Sequence, residues 1–194
     1  LRELSDSNTQ MLALENGEID VLYQASIAPL LKLPADTDIR FSVASAATTM
    51  GLQMNMNWGI TSDKRFRQML QYAINRDEIN LGVYEGYATI VDVFGCPFFT
   101  GYPDDGTYTP VPDYDPAKAK EILQEMGYNN EEYTILVQSG RKDEMAAQII
   151  QGQLMNIGVN CVVKAMDSAS VSAAQKLPEG WNSYIRSVTI SAMD

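Results

Sequence analysis

The sequence predicts an α/β fold, and three adjacent segments in its C-terminal half support this class most directly. Two continuous apolar runs of strand length, Tyr133–Val137 and Val159–Val163, flank a segment with apolar residues at helical spacing that Gly158 ends. A strand, a helix and a second strand joined by short connections form a βαβ unit, whose strands are parallel neighbours with a right-handed crossover. Asp167 then begins one more helix, and residues 182–190 are the last predicted strand.

Length and composition limit the classes of protein that this chain can represent. Its 194 residues are 45% hydrophobic and 20% charged, which suits a folded core of one domain or slightly more. Lys and Arg total 14 against 25 Asp and Glu, and the net charge of −11 argues against nucleic-acid binding. With 0 histidines, catalytic triads and histidine-based metal sites are excluded from these residues. No apolar run approaches the roughly 18 residues of a membrane span.

Short helical and extended segments alternate in the N-terminal part. Residues 9–15 have the apolar spacing of a helix, and Asn16-Gly17 supplies its left-handed end. Ile19–Tyr23 is predicted as a short buried strand, and residues 29–33 form a helical turn that begins at a proline. Ile39–Val43 is predicted as another strand.

A crossing between two lobes is expected near residue 48. Small, weakly patterned residues at 42–49 precede Gly51–Met56, where apolar and polar side chains alternate at the strand period of two. The methionines of this strand and Trp58 either form an adaptable apolar wall for a ligand or pack as an ordinary half-buried strand.

Three helices with recognisable caps are predicted in the middle of the chain. Thr61 or Ser62 can cap the first, and Asp77 can cap the second. Asp115-Pro116 begins the third, because aspartate caps a helix and proline suits its first position. The Gly- and Pro-rich segment 86–112 between them is expected to pack as a surface loop.

Catalytic, metal and cofactor sites find little support in the sequence. Cys96 and Cys161 do not form a C-x-x-C pair, so neither a zinc ribbon nor a thioredoxin-like site is predicted, and their redox state stays open. Three groups of aspartates lack the ligand spacing of a calcium loop, and turn composition accounts for them. These groups are Asp36/Asp38, Asp104-Asp105 and Asp113/Asp115. We therefore expect no catalytic residue, no metal site and no cofactor.

The turn after the strand at 133–137 is the clearest candidate binding element. Gln138-Ser139-Gly140-Arg141 precedes a helix, where free backbone N–H groups and the helix dipole favour an anionic ligand group. Ser139 and Arg141 are suitable carboxylate donors there. The alternative is an ordinary strand-to-helix turn with a solvated arginine. The glycine patterns of phosphate-binding loops are missing, which argues against nucleotide binding.

An ordered set of motifs resembles one family of transport proteins. Asn55, then Asp63-x-Arg65-x-Arg67-Gln68, then Tyr72-Ala73-Ile74-Asn75-Arg76-Asp77 resemble the signature of ABC-transporter solute-binding proteins of the dipeptide, oligopeptide and nickel group. Further matches, in order, are Gly17-Glu18-Ile19-Asp20, Gly86, Tyr114-Asp115-Pro116-Ala117-Lys118-Ala119, Gln151, Leu154 and Ile157-Gly158-Val159. The motifs keep their order and spacing over essentially the whole chain.

The resemblance implies a mixed sheet flanked by helices, as in one lobe of a periplasmic-binding-protein-like fold. Relatives in this family are longer, so we expect a fragment. Residues 1–47 would be the end of the first lobe and the approach to the hinge, and residues 48–194 the second lobe, truncated at its C-terminal end. The family also implies a monomer that delivers its solute to the permease subunits of an ABC importer. It would work outside the cytoplasm, in the periplasm or lipid-anchored at the outer face of the cell membrane, with the signal or anchor outside these residues.

The resemblance places the ligand contacts in a cleft, whereas the motif arginines look like scaffold residues that bind carboxylates or carbonyls. The expected contacts come from the segment after Asp20, the crossing strand, the turn at 138–141 and the final strand. They are Tyr23, Gln24, Thr48, Ser139, Arg141, Arg186 and Asp194. Arg186 and Asp194 stand near the strand where oligopeptide-binding relatives contact the charged ends of a peptide.

A short peptide is the expected ligand, held between two lobes that close by a hinge motion. Two alternatives stay open: a solute-binding protein for a non-peptide ligand, such as an oligosaccharide or a metal chelate, and a carboxylate-based α/β hydrolase. A third is an interaction domain without a small ligand, which the acidic composition permits.

Overall fold

The structure is a computed structural model that describes residues 3–4, 6–23, 25–44, 46–93, 95, 97, 102–103 and 106–189. The chain divides into two compact units, residues 1–45 and 46–194. This division falls close to the boundary expected between residues 47 and 48. The assignment of the two units to two lobes stays a prediction.

Helices are the regular elements of the first unit. Helix α1 covers Ser7–Glu15 and helix α2 covers Ile27–Leu30. Asp6 caps α1, because its side chain accepts a hydrogen bond from the Thr9 backbone N–H at 2.8 Å. Gly17 follows α1 with a φ of +69°, as the predicted left-handed end requires.

The two strands predicted in the first unit are wrong. Residues 19–23 and 39–43 form no strand, and Val21 and Tyr23 are 81% and 84% exposed rather than buried. A short apolar run becomes a stable strand only when a neighbour pairs with its backbone N–H and C=O groups. Among the described residues of this unit, no strand is available to pair with them.

Within the described residues, the second unit contains a four-stranded mixed sheet and five α-helices. The strands are β1 (Thr48–Met54), β2 (Tyr133–Gln138), β3 (Cys161–Met166) and β4 (Ser183–Thr189). The helices are α3 (Lys64–Ala73), α4 (Arg76–Tyr84), α5 (Pro116–Glu125), α6 (Lys142–Asn156) and α7 (Ser168–Gln175), and a 3-10 turn covers Gly59–Ser62. The predicted α/β class and mixed sheet are confirmed.

The sheet has the strand order β1-β4-β2-β3. β2 and β3 are parallel neighbours, with Tyr133 opposite Cys161 and Gln138 opposite Met166, and α6 connects them. The predicted βαβ unit is therefore confirmed. β4 pairs in parallel with β2 and antiparallel with β1. The chain thus leaves β2 for β3 on one side and returns past β2 to form β4 on the other.

Asp63 caps helix α3, so the caps predicted at Thr61 or Ser62 are wrong. The Asp63 side chain accepts from the Arg65 backbone N–H at 2.8 Å. Thr61 and Ser62 instead belong to the 3-10 turn that precedes the helix. Neighbouring Thr, Ser and Asp are all good caps, and the sequence does not tell which of them the chain uses.

The cap of helix α4 also differs from the predicted residue. Asn75 caps it by accepting from the Glu78 backbone N–H at 3.2 Å, so Asp77 lies in the first turn rather than at the cap. The caps predicted at Asp115 and Asp167 are confirmed for α5 and α7.

The hydrophobic core joins α3, α5 and α6 to one face of the sheet. Phe66 of α3 and Tyr133 of β2 are both 0% exposed, and their ring centroids lie 5.2 Å apart. The Tyr133 hydroxyl donates to Ser183 Oγ at 2.7 Å, so the buried phenol keeps a hydrogen bond, and burial raises its pKa. Ile135 and Ile185, on the neighbouring strands β2 and β4, complete this face.

A buried polar network holds the amino end of β4. Asn182 is 0% exposed, and its Oδ1 accepts from the Thr134 backbone N–H at 2.8 Å. Thr61, also 0% exposed, donates to the Asn55 carbonyl at 2.7 Å. Gly59 has a φ of +60°, and a Cβ there would lie 2.5 Å from Asn182 Nδ2, so a larger residue would strain the backbone and displace this amide. This network joins β1, β2 and β4 at one edge of the sheet.

The motif arginines bind carboxylates and carbonyls, as predicted for scaffold residues. Arg67 Nη1 donates to the Thr61 carbonyl at 2.8 Å, and Arg76 Nη1 donates to Asp92 Oδ1 at 2.8 Å. Arg65 pairs with the cap residue Asp63 at 2.7 Å. These contacts fix helix starts and adjacent turns.

Candidate functional site

The candidate site lies at the carboxyl ends of β2 and β4. The strand order reverses here, because the chain runs from β2 to β3 and back past β2 to β4. Open α/β sheets bind ligands outside the carboxyl ends of strands at such a reversal. β2 and β4 pair at Ile135–Ser183 and Leu136–Tyr184, near the start of β4, so the ladder does not extend to their carboxyl ends. We call the region between residues 138–141 and residues 187–189 the carboxyl-end crevice.

Strand β1 brings Thr48 to the same edge of the sheet. β1 runs antiparallel to β4, so its first residue lies opposite the last residue of β4, Thr189. The Oγ1 atoms of Thr48 and Thr189 are 3.1 Å apart, and both residues are exposed. The strand expected to cross between lobes therefore begins beside the crevice.

The turn at residues 138–141 forms the other side of the crevice. The Ser139 backbone N–H donates to the Met166 carbonyl at 2.9 Å, which ties the turn to the end of β3, and Ser139 itself is exposed. Gly140 has a φ of +72°, and its N–H donates to Glu144 Oε2 at 2.7 Å. The Gly140 amide is therefore already bonded to a carboxylate of α6, and the roles of Ser139 and Arg141 as donors to an anionic ligand group stay a prediction.

Arg141 immediately precedes α6, and its side chain is exposed. It borders a shallow, open depression along the first turns of α6, lined by Gly140, Arg141, Lys142, Glu144, Met145 and Gln148. The depression therefore presents a guanidinium and a carboxylate, two groups of opposite charge, on the α6 side of the turn at 138–141.

Arg186 lies in the middle of β4 rather than at its end. It pairs with Gly51 of β1 and is exposed. Side chains alternate along a strand, so Arg186 lies on the sheet face opposite to the core residue Ile185. Its side chain would have to extend along the strand to reach the crevice, and its role as a ligand residue stays a prediction.

The remaining predicted ligand residues belong to the first unit or lie outside the described residues. Tyr23 belongs to the first unit and is 84% exposed. Gln24 and Asp194 lie outside the described residues, as do Cys96 and the Asp104-Asp105 pair. The ligand contacts expected of Tyr23, Gln24 and Asp194 stay predictions.

A buried carboxylate beside the crevice escaped the sequence analysis. Asp143, in the first turn of α6, is 7% exposed, and its Oδ1 accepts from Ser187 Oγ of β4 at 2.7 Å. The positive end of the helix dipole favours its negative charge. The apolar pattern that predicted α6 began at Met145, so it did not reach Asp143. An acidic residue in a first turn was the available signal, and it usually indicates an exposed side chain.

Helix α4 packs against the same turn of α6. Burial and, second, the charge of Asp143 raise the pKa of Tyr84, the last residue of α4. Lys142 Nζ lies 4.8 Å from the centroid of the Tyr84 ring, a cation–π distance. The first turn of α6 is therefore held from two sides, by α4 and by β4.

The described residues contain no group of three or more His, Cys, Asp or Glu side chains that could hold a metal ion. Cys161 is buried with a free thiol, and burial raises its pKa to about 12. No helix in the described ranges has the length and apolar character needed to cross a membrane.

Comparison with known proteins identifies the family of this chain. The model for bacterial extracellular solute-binding proteins, family 5 Middle, matches residues 1–194. The chain belongs to this family. The resemblance found in the ordered motifs is thereby confirmed.

Two relatives share much of this family 5 sequence. The glutathione-binding protein GsiB of Pectobacterium atrosepticum is 30% identical over 174 residues, and the GsiB protein of Escherichia coli strain K12 is 29% identical over 174 residues. Each alignment covers 89% of this chain and 33% of the relative. The chain therefore spans about a third of the length of these curated relatives.

Solved structures share the fold. A putative peptide-binding protein, AppA from Clostridium difficile, has a TM-score of 0.85 at 23% identity, covering 97% of this chain and 40% of its own. The ABC transporter substrate-binding protein CtaP from Listeria monocytogenes has a TM-score of 0.85 at 25% identity, with 98% and 40% covered. The oligopeptide-binding protein AppA from Bacillus subtilis, solved with a nonapeptide, has a TM-score of 0.77 at 20% identity, with 97% and 40% covered.

Proposed function

We propose that this family 5 chain is the part of an ABC-importer solute-binding protein that holds the solute in the carboxyl-end crevice. The convergence of the ends of β2 and β4 with the start of β1 carries the proposal, because it brings exposed polar side chains from separate elements to one opening. In this proposal residues 46–194 belong to the second lobe and residues 1–45 to the end of the first.

A short peptide or a similar small solute is the proposed ligand class. A peptide presents alternating backbone donors and acceptors and two charged ends. Ser139, Thr48 and Thr189 offer hydroxyl groups, and Arg141 and Glu144 offer charges of both signs. The depression beside Arg141 is shallow, which favours binding through backbone and charges with little preference for side chains. The names of the GsiB relatives make glutathione one solute to test.

The proposed mechanism is closure of two lobes around the solute, followed by delivery to a membrane permease. A ligand that contacts both lobes shifts the population toward the closed state by the extra contacts made there. ATP hydrolysis would take place on other subunits. The family description as extracellular proteins supports work outside the cytoplasm, in the periplasm or at a lipid anchor. A monomer is sufficient for this role.

The relatives described above are solute-binding proteins, and we propose that this chain is likewise not an enzyme. A carboxylate-based hydrolase needs two carboxyl groups that share a substrate. The two acids beside the crevice have structural partners, since Asp143 accepts from Ser187 and Glu144 accepts from Gly140. Release of amino acids from the test peptides by the purified protein would contradict this part of the proposal.

Isothermal titration calorimetry of the full-length protein tests the ligand class. The panel contains glutathione, unmodified di- to pentapeptides, an oligosaccharide and a nickel chelate. We expect 1:1 binding of at least one peptide or of glutathione, weakened at least about tenfold by Arg141→Ala. The matched control is Arg65→Ala, which removes an exposed arginine of α3 that pairs with Asp63.

Two results would contradict the peptide assignment. One is a panel in which no peptide and no glutathione binds. The other is tighter binding of the oligosaccharide or the chelate, which would favour the non-peptide alternative for the same crevice.

A further inference from the structure

Asp143 is the one charged residue that is buried among the residues the structure describes. The dipole of α6 favours its negative charge, but no cation among the described residues forms an ion pair with it. Ser187 Oγ donates to Oδ1 at 2.7 Å. The neighbouring cation, Lys142, lies over the Tyr84 ring. A buried carboxylate without a cation is costly, so an apolar contact would stabilise the fold at least as well.

The hydrogen bond between Asp143 and Ser187 joins the two sides of the carboxyl-end crevice. On one side, the next residue of α6, Glu144, accepts the Gly140 N–H and so holds the turn at 138–141. On the other side, Ser187 lies two residues before Thr189, the end of β4 that pairs with Thr48. The ladder between β2 and β4 ends at Leu136 and Tyr184, so it does not fix this separation.

We propose that the Asp143–Ser187 hydrogen bond is the positioning contact of the crevice. It sets the turn at 138–141 at a fixed distance from the end of β4, so that the ligand groups on both sides are arranged before a solute arrives. Preorganisation of this kind raises affinity because less conformational freedom is lost on binding. The ligand consequence rests on the proposed function, whereas the effect on the turn does not.

Hydrogen exchange of the ligand-free, full-length protein tests the contact directly. In Ser187→Ala, the exchange of the Ser139 and Gly140 amides should rise by about tenfold, because the first turn of α6 loses its link to β4. The matched control is Ser172→Ala, which removes a hydroxyl that donates to the Ser168 carbonyl at 2.8 Å in α7. That variant should leave the two amides unchanged. Ser187→Thr keeps a hydroxyl donor and should restore slow exchange.

Ser187→Cys gives a second test, because it fills the site with a side chain of the same shape, slightly larger, that is only a weak donor. If the hydrogen bond positions the turn, the Ser139 and Gly140 amides should exchange as fast in Ser187→Cys as in Ser187→Ala. Exchange as slow as in the wild type would show that only packing is needed, and would contradict the proposal. The proposal is wrong if Ser187→Ala and Ser172→Ala have the same exchange at residues 139 and 140. It is also wrong if exchange rises by one common factor throughout β2, β3 and the turn, since that reports general destabilisation.

Calorimetry with glutathione and the tightest peptide of the panel separates this inference from the proposed function. We expect Ser187→Ala to weaken binding roughly three- to tenfold and Ser187→Thr to restore it. Wild-type binding that Ser187→Ala leaves unchanged would overturn the inference while the proposed function stands. A wild type that binds neither probe, together with faster exchange in Ser187→Ala, would refute the ligand class and support the positioning contact.

Discussion

Polar side chains near the two ends of β4 have different roles. At its amino end, Asn182 accepts a hydrogen bond from the Thr134 backbone of β2. In the same network, Thr61 of the 3-10 turn donates to the Asn55 carbonyl. Near its carboxyl end, Ser187 reaches a carboxylate of α6. The first arrangement fixes the sheet, and the second lies beside the proposed ligand site.

Asn182→Ala should destabilise the protein by about 3 kcal/mol, because it leaves the buried Thr134 N–H without its side-chain acceptor and creates a small cavity. Urea unfolding of the purified protein measures this loss. The control, Asn156→Ala at the exposed last residue of α6, should change the free energy of unfolding by less than about 0.5 kcal/mol. Equal effects of the two substitutions would contradict the role of the network.

Glu85→Gly should stabilise the protein by about 1 kcal/mol. Glu85 follows α4 with a φ of +50°, a conformation that favours glycine, and its Oε2 is buried without a hydrogen-bond partner. The same substitution at Glu125, the last residue of α5, should destabilise by about 1 kcal/mol because that backbone is helical. Thermal unfolding of both variants gives the comparison, and a loss of stability in Glu85→Gly would refute the strain argument.

At the scale of elements, the sequence predicted the parts in which local chemistry and packing agree. The βαβ unit has two apolar runs, a helical period and a glycine end, and the caps at Asp115 and Asp167 stand next to clear helical patterns. The segments 19–23 and 39–43 were wrong because a strand depends on a partner that is distant in sequence.

The candidate site was only partly accessible to sequence analysis for the same reason. The turn at 138–141 follows a strand, and this local pattern located it. The contact between Asp143 and Ser187 joins residues 44 positions apart, and no local pattern in either segment indicates the other. Glu144 was likewise missed as the acceptor of the Gly140 N–H, since capping from within the helix depends on side-chain geometry.

Helix caps should make stability sensitive to acid. Hydrogen bonds from the Ser170 side chain, and then from backbone N–H groups of α7, lower the pKa of Asp167 below its ordinary value of 3.8. The Asp167 carboxylate therefore binds a proton less readily in the folded state than in the unfolded state. The resulting stability is present above the unfolded pKa and is lost as the pH falls through the lower, folded pKa.

Asp167→Asn keeps a capping oxygen but removes the titration, so the decline of the urea midpoint between about pH 5 and about pH 2.5 should become shallower. The hydrogen bond from the Arg65 side chain is the main cause that lowers the pKa of Asp63. Asp63→Asn should therefore also make the decline of the urea midpoint shallower. Asp36→Asn, at an exposed loop residue of the first unit, is the control. If the urea midpoint of Asp167→Asn falls with pH as steeply as that of Asp36→Asn, the proposed role of the Asp167 cap is contradicted.

At the scale of the whole molecule, family membership identifies the kind of protein, and the reversal of strand order supports the proposed site. The family match concerns the entire chain, and the reversal concerns the relation between β2 and β4. The proposal that the ligand lies at the carboxyl-end crevice rests on the reversal.

The chain alone should fold cooperatively but bind its ligand at least about 100-fold more weakly than the full-length protein, because closure supplies contacts from a second lobe. Circular dichroism during urea unfolding tests the folding, and calorimetry of both proteins with the same peptide tests the affinity. Equal affinities would contradict the two-lobe mechanism.

Hydrogen exchange of the full-length protein with and without its tightest ligand tests the location of the site most directly. We predict that the ligand slows exchange at residues 138–141 and 187–189 and at Thr48, and leaves the Asn55–Thr61 and Asn182 amides at the opposite edge unchanged. Protection confined to that opposite edge, with none at the carboxyl-end crevice, would contradict the account.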